Sequence, residues 1–388
     1  MSETARRTLE RLPELPAGRA VLDVADRHGG LWLVGGAVRD VLLDAPVRDL
    51  DVAVEGEVEP VVDALGELVT EHGRFGTATV RASDGGVVNV VRTRAEVYAR
   101  PGALPQVRPA GLDEDLTRRD FTVNAIAVGL SGEVRGEVRA AEHALDDIAD
   151  RLLRVLHDRS FLDDPTRLLR LARYETRLGL AVEGRTAVLA GKATLRTISG
   201  DRVGNEVRLL LAEPDPVSAL AAGAHFGAPV PAPDPEVARA ALALLPADGR
   251  PDLLIVASGG EGTEPVLREL GFTAPDARRG GRAAEARELA AALARARRPS
   301  EIAAAARGWP PEAVAIAGGL GADGQARAWL DDLRHVRLDI GGEDLLEAGV
   351  AEGPEVGRRL ARTLERRLDG EVGEGREEQL AAALASEA

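Results

Sequence analysis

The chain contains no cysteine, which excludes disulfide staples and thiolate-bound zinc together. It has no long apolar run either. The opening MSETARRTLERLPELP lacks a hydrophobic core of signal-peptide length, and no later segment offers an uninterrupted membrane span, so a cytoplasmic protein with no membrane partner is expected. Positive charge is in deficit. A net charge of −15 argues against a nucleic-acid partner, because phosphate contacts dominate such affinity. The distribution weakens that argument: between Arg151 and Arg208 basic residues are dense, while acidic residues weigh more heavily elsewhere. A local basic surface on an acidic protein can result, although any single arginine reads equally well as mixed charge on a solvated helix face. With 388 residues and 45% hydrophobic content, the chain is large enough for two to four domains with real cores.

What is present is concentrated first between Leu33 and Gly56, LVGGAVRDVLLDAPVRDLDVAVEG. Residues 31–34 read as a short buried strand, Gly35-Gly36 breaks it, and residues 37–43 have helical spacing with Arg39 and Asp40 on the polar side. Glycines let a phosphate approach the backbone, and the free N–H groups of the following helix favour an anion, so a triphosphate seat is expected here. Within residues 47–54, strand alternation puts Leu50, Val52 and Val54 on one face and Asp49 and Asp51 on the other. Two carboxylates a pleat apart repel each other but suit a hard cation such as Mg²⁺. Two such ions would bridge an attacking hydroxyl and a nucleotide triphosphate. Taken singly, the Gly-Gly is a turn and the Asp-x-Asp a solvated strand edge.

Together, at this spacing, they resemble the signature of the DNA polymerase beta-like nucleotidyltransferases, in the branch of the class II tRNA nucleotidyltransferases (CCA-adding enzymes) and bacterial poly(A) polymerases. The resemblance implies an α/β head, a mixed sheet with helices, at residues 1–140. An all-α neck (141–208), body (209–334) and tail (335–388) would follow. It also implies Asp49 and Asp51 as catalytic ligands of Mg²⁺, with Gly35, Gly36 and Arg39 seating the triphosphate.

Further segments extend the reading. Helices are expected at 3–12, 17–28 and 58–72, and strands at 77–81 and 87–91 around the turn Ser83-Asp84-Gly85-Gly86. In the family the second of these strands carries a third acidic residue. The matching position here is Asn89, a neutral ligand that cannot serve as a base, so an acid restored there is expected to speed the reaction, with Glu96 as a candidate substitute. DEDLTRRDFTVNAIA, from Asp113, resembles the second family signature: Arg118 and Arg119 supply fixed forks, and Asp120 and Asn124 can bond sugar hydroxyls. At Ala140-Ala141-Glu142-His143-Ala144 relatives carry an Asp-Pro-aromatic-Gly-Gly turn. Losing those glycines predicts a helical connection, with His143 a surface helix residue.

The resemblance resumes at Leu152 with LLRVLHDRSFLDDPTRLLRLARYETRLGLAVE, where Asp163 to Arg167 is similar to the family's nucleotide-selecting motif. Pro165 suits a first helical turn, placing Asp164 near the start and Arg167 within reach across one turn. A carboxylate accepting from an amino group and an arginine donating to a ring nitrogen suit cytosine and adenine and repel uracil and guanine. The plainer reading is a helix cap with a surface salt bridge. Arg167, Arg170, Arg173 and Arg177 form one basic stripe on an amphipathic helix, and the resemblance makes Arg170 and Arg173 nucleotide-binding. Arg202 and Glu206 would brace this neck. Beyond it, Pro/Gly breaks at 229–235, 259–262 and 280–281 separate short helices. In the tail, Gly341-Gly342 and Gly353-Pro354 would start helices, and Arg358, Arg359 and Arg362 would hold an RNA backbone. The expected function is addition of C and/or A from CTP or ATP to the 3′ end of tRNA. Poly(A) polymerase and a catalytically weak RNA-binding paralogue are the alternatives.

Overall fold

Residues 31–43 fold as strand, glycine turn and helix, as their pattern predicts, whereas the strand expected over 47–54 begins only at Leu50 and leaves Asp49 ahead of it. In the computed structural model, which describes residues 1–72 and 76–385, helices α1 (Glu3–Arg11) and α2 (Gly18–Ala25) lead into strand β1 (Leu31–Val34), α3 (Gly36–Leu42) and β2 (Leu50–Val54). Then come α4 (Glu59–Leu65), β3 (Gly66–His72), β4 (Thr77–Ala82) and β5 (Val87–Arg92). A separate hairpin, β6 (Arg94–Val97) with β7 (Gln106–Pro109), precedes α5 (Leu112–Thr117), β8 (Ile126–Gly129) and β9 (Val138–Ala140). The main sheet is mixed, in the order β3-β4-β5-β2-β1-β8-β9, with β2 and β5 parallel.

Register decides what each sheet face carries. Trp32 lies opposite Ala53, and Val34 opposite Ala127, and with Leu112 and Leu116 of α5 they form a buried cluster. Leu31, Leu33, Leu50, Val52, Val88 and Val90 are buried from the other face. By strand alternation Asp51 shares the face of Ala53. Asp49 precedes β2 and is exposed. The acid pair therefore sits where an apolar sheet face gives way to a polar cavity.

Two expectations fail in this region. The helix expected at 58–72 ends at Leu65, and its second half is the edge strand β3, paired antiparallel with β4. Gly66, at φ 151°, breaks the helical path, and sheet pairing overrides the helical spacing of Leu68 and Val69, which stay exposed. The segment 140–144 is a tight turn instead of a helical connection. Ala141 N–H still bonds Ala125 O at 2.9 Å, extending the β8–β9 ladder, so the chain must reverse within two residues before α6 (Ala144–Ala149). His143 accordingly adopts φ 66°. That conformation costs a non-glycine residue about 1 kcal/mol. His143→Gly should raise the urea-unfolding free energy by about that amount; a lower midpoint would mean that the imidazole makes a contact worth more than the strain.

The segment beyond Ala149 is mostly helical: α7 (Ser160–Asp163), α8 (Arg167–Leu178), α9 (Gly184–Ala190) and α10 (Gly200–Leu211). It is not wholly so, because β10 (Leu152–Leu153) and β11 (Ala181–Val182) form a short parallel ladder. Pro165 lies before α8, not within its first turn.

The chain divides into two compact units, Met1–Glu206 and Val207–Ala388. In the second, helices at Pro216–His225, Pro235–Leu244, Pro251–Ala257, Pro299–Ala306, Pro311–Ala317 and Pro354–Leu368 all begin on proline, whose fixed φ and missing N–H suit that position. Asp215 and Asp234 cap two of them through side-chain oxygens. Gly280-Gly281 is no break: it lies inside Ala274–Ala284, where added Cβ atoms would sit 2.6 Å from Leu267 and 2.6 Å from Glu264. These glycines permit close helix contact. In the tail, Gly341 and Gly353 do precede helix starts, and Arg358 and Arg359 pair with Glu355. Among the described residues no helix is long and apolar enough to cross a membrane.

Candidate active site

At the end of β1, Gly35 donates to Ile126 O at 3.0 Å and turns the chain at φ 67°. The backbone conformation requires glycine, and a Cβ there would stand 2.7 Å from the Arg119 guanidinium and displace it. The turn aims α3 so that Arg39 and Asp40, expected on a polar helix side, are 3% and 6% exposed. Arg39 bonds Asp40 Oδ1 at 2.8 Å, donates to Asn124 Oδ1, and lies over the Tyr174 ring, 5.2 Å from its centre.

Parallel pairing of β2 with β5 sets Asp51 beside Asn89. Asn89 Nδ2 donates to Asp51 Oδ1 at 3.0 Å, and Asn89 Oδ1 accepts from Thr79 Oγ1 at 3.0 Å. Burial raises the Asp51 pKa above the ordinary value; the Asn89 hydrogen bond and the Arg119 charge oppose this, and the Asp49 charge adds to it. A half-buried carboxylate whose ionised form is disfavoured, beside a second carboxylate, is a donor set that a hard divalent cation would relieve. Among the described residues no three His, Asp or Glu side chains gather in a metal-binding cluster, so the pair would share a cation with water and substrate oxygens. The Asn89 oxygen faces Thr79, which corrects its reading as a weak metal ligand.

After α5 the chain turns through Arg118, Arg119 and Asp120. Asp115 is fully buried and takes Arg118 at 2.6 Å and Arg119 at 2.8 Å. Burial pushes Asp115 up, but the two guanidinium groups outweigh it and hold the carboxyl below its ordinary value. Asp120 is 7% exposed and accepts from Arg170 at 2.6 and 2.8 Å, from Asn124 Nδ2 at 2.9 Å and from its neighbour Phe121 N–H. There too burial pushes upward, and Arg170 with the Asn124 bond holds the carboxyl well below the carboxylate range. Asp120 and Asn124, expected to meet a sugar, thus also tie α3 to α8 through Arg39 and Arg170. Glu96 is no free base: it accepts from Arg94, from Arg118 at 3.0 Å and from the Tyr98 hydroxyl at 2.8 Å.

From α8, Arg167 is 4% exposed and donates to Ser160 Oγ at 2.5 Å and to Arg118 O at 2.7 Å. Asp164 Oδ1 accepts from Thr166 N–H and hydroxyl and from Arg202 at 2.9 Å, and Arg202 also holds Gly102 O at 2.7 Å. The two residues expected to read a base are therefore each held by other partners, with the Arg202 brace as expected. Arg173 stands 3.5 Å from Glu206. Arg170, Arg173 and Arg177 surround the Tyr174 ring at 5.1 to 5.6 Å from its centre.

These stretches meet. Gly35, Gly36, Arg39, Asp49, Asp51, Arg118, Asp120, Asn124, Asp164, Arg167, Arg170 and Arg173 all line one cavity of about 500 Å³, a volume suited to a nucleotide. Sequence reasoning missed Arg48, Arg94, Tyr98 and Tyr174, which line it too. The strand alternation of Arg94, Glu96 and Tyr98 was a usable signal, as was the position of Tyr174 one turn beyond Arg170.

A family model described as the poly A polymerase head domain matches residues 31–154. Over 378 residues the chain is 33% identical to a CC-adding tRNA nucleotidyltransferase of Deinococcus radiodurans, covering 94% of this chain and 93% of that one. It is 40% identical over 200 residues to an A-adding tRNA nucleotidyltransferase of Halalkalibacterium halodurans, covering 49% of this chain and 47% of the relative. The chain thus spans about half the length of that A-adding relative. The solved structure of a CCA-adding enzyme in an apo form superposes with a TM-score of 0.85 at 24% identity, covering 100% of this chain and 99% of the other; at that identity the likeness concerns the fold.

Proposed function

Because the chain belongs to the tRNA nucleotidyltransferase family, as the relative matched along nearly its whole length establishes, we propose that it adds C and/or A from CTP or ATP to the 3′ end of tRNA in the cytoplasm. The observation that carries this reading is the convergence of an acid pair, a glycine turn, an Arg-Arg-Asp segment and an arginine-rich helix on one cavity.

The reaction forms a bond between the terminal RNA hydroxyl oxygen and the α-phosphorus of the nucleotide, breaks the bond to pyrophosphate, and releases the hydroxyl proton to solvent. Asp49 and Asp51 would hold the divalent cation, Mg²⁺ in our reading, which when bound stabilises charge on the attacking and leaving oxygens. Gly35 and Gly36 leave room for the triphosphate, and Arg39 and Arg118 present positive charge to it. Asp120 and Asn124 fix the walls around the ribose, with Arg170 and Arg173 adding positive charge from α8. Asp164 and Arg167 select an edge with an amino donor beside a ring acceptor, so no template strand is needed.

The test is incubation with Mg²⁺ and tRNA transcripts ending before the first C, after CC and after CCA, with CTP and ATP supplied separately. The whole-length relative is CC-adding, which makes CTP on the shortest transcript the first expected substrate. Label from ATP on the CC transcript would assign A addition. A ladder of many adenosines would instead favour a poly(A) polymerase, the reading raised by the family match of the head. Binding of tRNA without pyrophosphate release would favour the weak paralogue suggested by Asn89.

A further inference from the structure

We infer that Thr79 and Asn89 act as a positioning pair that fixes the direction of the Asp51 carboxylate, so that position 89 is not a lost acid. The inference rests on the reading of Asp49 and Asp51 as the cation-holding pair. Thr79, Asn89 and Asp51 lie abreast on β4, β5 and β2, where Thr79 is registered with Asn89 and Asn89 with Asp51. All three belong to adjacent strands inside the sheet order, flanked by β3 and β1, so the backbone leaves little freedom for the chain of bonds to drift.

The hydrogen bonds have one consistent direction. An ionised carboxylate only accepts, so the amide must turn Nδ2 toward Asp51, at 3.0 Å. Its Oδ1 then faces Thr79 Oγ1 at 3.0 Å, and the hydroxyl must be the donor there. The carboxylate thereby decides which way the amide points, Thr79 holds the amide there by donating to its Oδ1, and the amide fixes where Asp51 Oδ1 sits. An aspartate at 89 would face the Asp51 carboxylate with no proton to donate. It would replace an attraction by a like-charge contact, and the expectation that an acid at 89 speeds the reaction gives way.

The experiment is Mn²⁺ titration of the full chain, followed by electron paramagnetic resonance, together with single-turnover addition at saturating metal. Asn89→Ala should weaken Mn²⁺ binding by about tenfold, the scale of one hydrogen bond to a charged group, and Thr79→Val, which loses a bond between neutral groups, by about threefold. The double variant should be no weaker than Asn89→Ala, because Thr79 acts through the amide. Thr79→Ser, which keeps the hydroxyl, should bind as the wild type does, and Asn89→Asp should add nucleotide more slowly. Wild-type Mn²⁺ binding in Thr79→Val, or faster addition by Asn89→Asp, would overturn the inference. Asp51→Ala separates the levels: if it binds Mn²⁺ as tightly as the wild type, the metal reading fails. If it loses Mn²⁺ while Thr79→Val and Asn89→Ala do not, only the positioning inference fails.

Discussion

Asp51→Ala should abolish nucleotide addition, a loss of roughly 10³-fold or more, the scale on which removal of one group stabilising transition-state charge is felt. Stability should not fall with it. Partial burial already disfavours the ionised Asp51 carboxylate, so truncating the side chain in the protein without metal removes no strongly stabilising charge. Asp49→Ala should give the same catalytic loss with even less structural consequence, because Asp49 is exposed and precedes the strand. Single-turnover extension of a tRNA transcript, paired with a thermal-unfolding curve, checks both points. Undiminished addition by either variant would remove the acid pair from the mechanism. A collapse of the unfolding midpoint would recast Asp51 as a structural residue.

The second large effect concerns base choice. Asp164→Ala should lower incorporation of C and A and let U and G compete, shifting the ratio by about 10- to 100-fold, as expected for losing a bidentate base contact of ~1–3 kcal/mol. The structure sharpens this. One Asp164 oxygen is held by Arg202 and Thr166, so the carboxylate reaches any nucleotide in a fixed orientation, while Arg167 is set by Ser160 and the Arg118 carbonyl. Pre-set donors and acceptors discriminate because a mismatched base leaves a polar group unpaired. Rate constants for all four nucleotides decide the matter. Equal slowing for every nucleotide, with selectivity unchanged, would assign Asp164 to the turn before α8 and leave base choice to other side chains.

Much of this protein was legible in its sequence because strand alternation and glycine chemistry are local. The pattern of Leu50, Val52 and Val54 was enough to put Asp51 on the opposite face, and Gly35 could only be a turn. The start of α8 lies two residues beyond a proline that marks the helix boundary. What local pattern left open was decided by partners far away in the chain. Pairing with β4 made residues 66–72 a strand despite helical spacing, and the β8–β9 ladder held Ala141 extended and forced His143 into a left-handed turn. Gly280 and Gly281, which read as a break, serve the close approach of a neighbouring helix, a need that exists only once that helix is packed against them.

The same division holds in the candidate site. The residue types were readable because carboxylates, guanidinium groups and glycines have few other reasons to cluster at those spacings. Their bonding was not readable. That Asp120 is gripped by Arg170, that Glu96 accepts from Arg118, and that the Asn89 amide points its nitrogen at Asp51 all depend on side chains 22 to 50 positions apart being brought together. Sequence determined which chemical groups the chain brings. Tertiary packing decided which of them bind each other, because hydrogen-bond direction is fixed by the neighbour that accepts, and that neighbour is chosen by the fold.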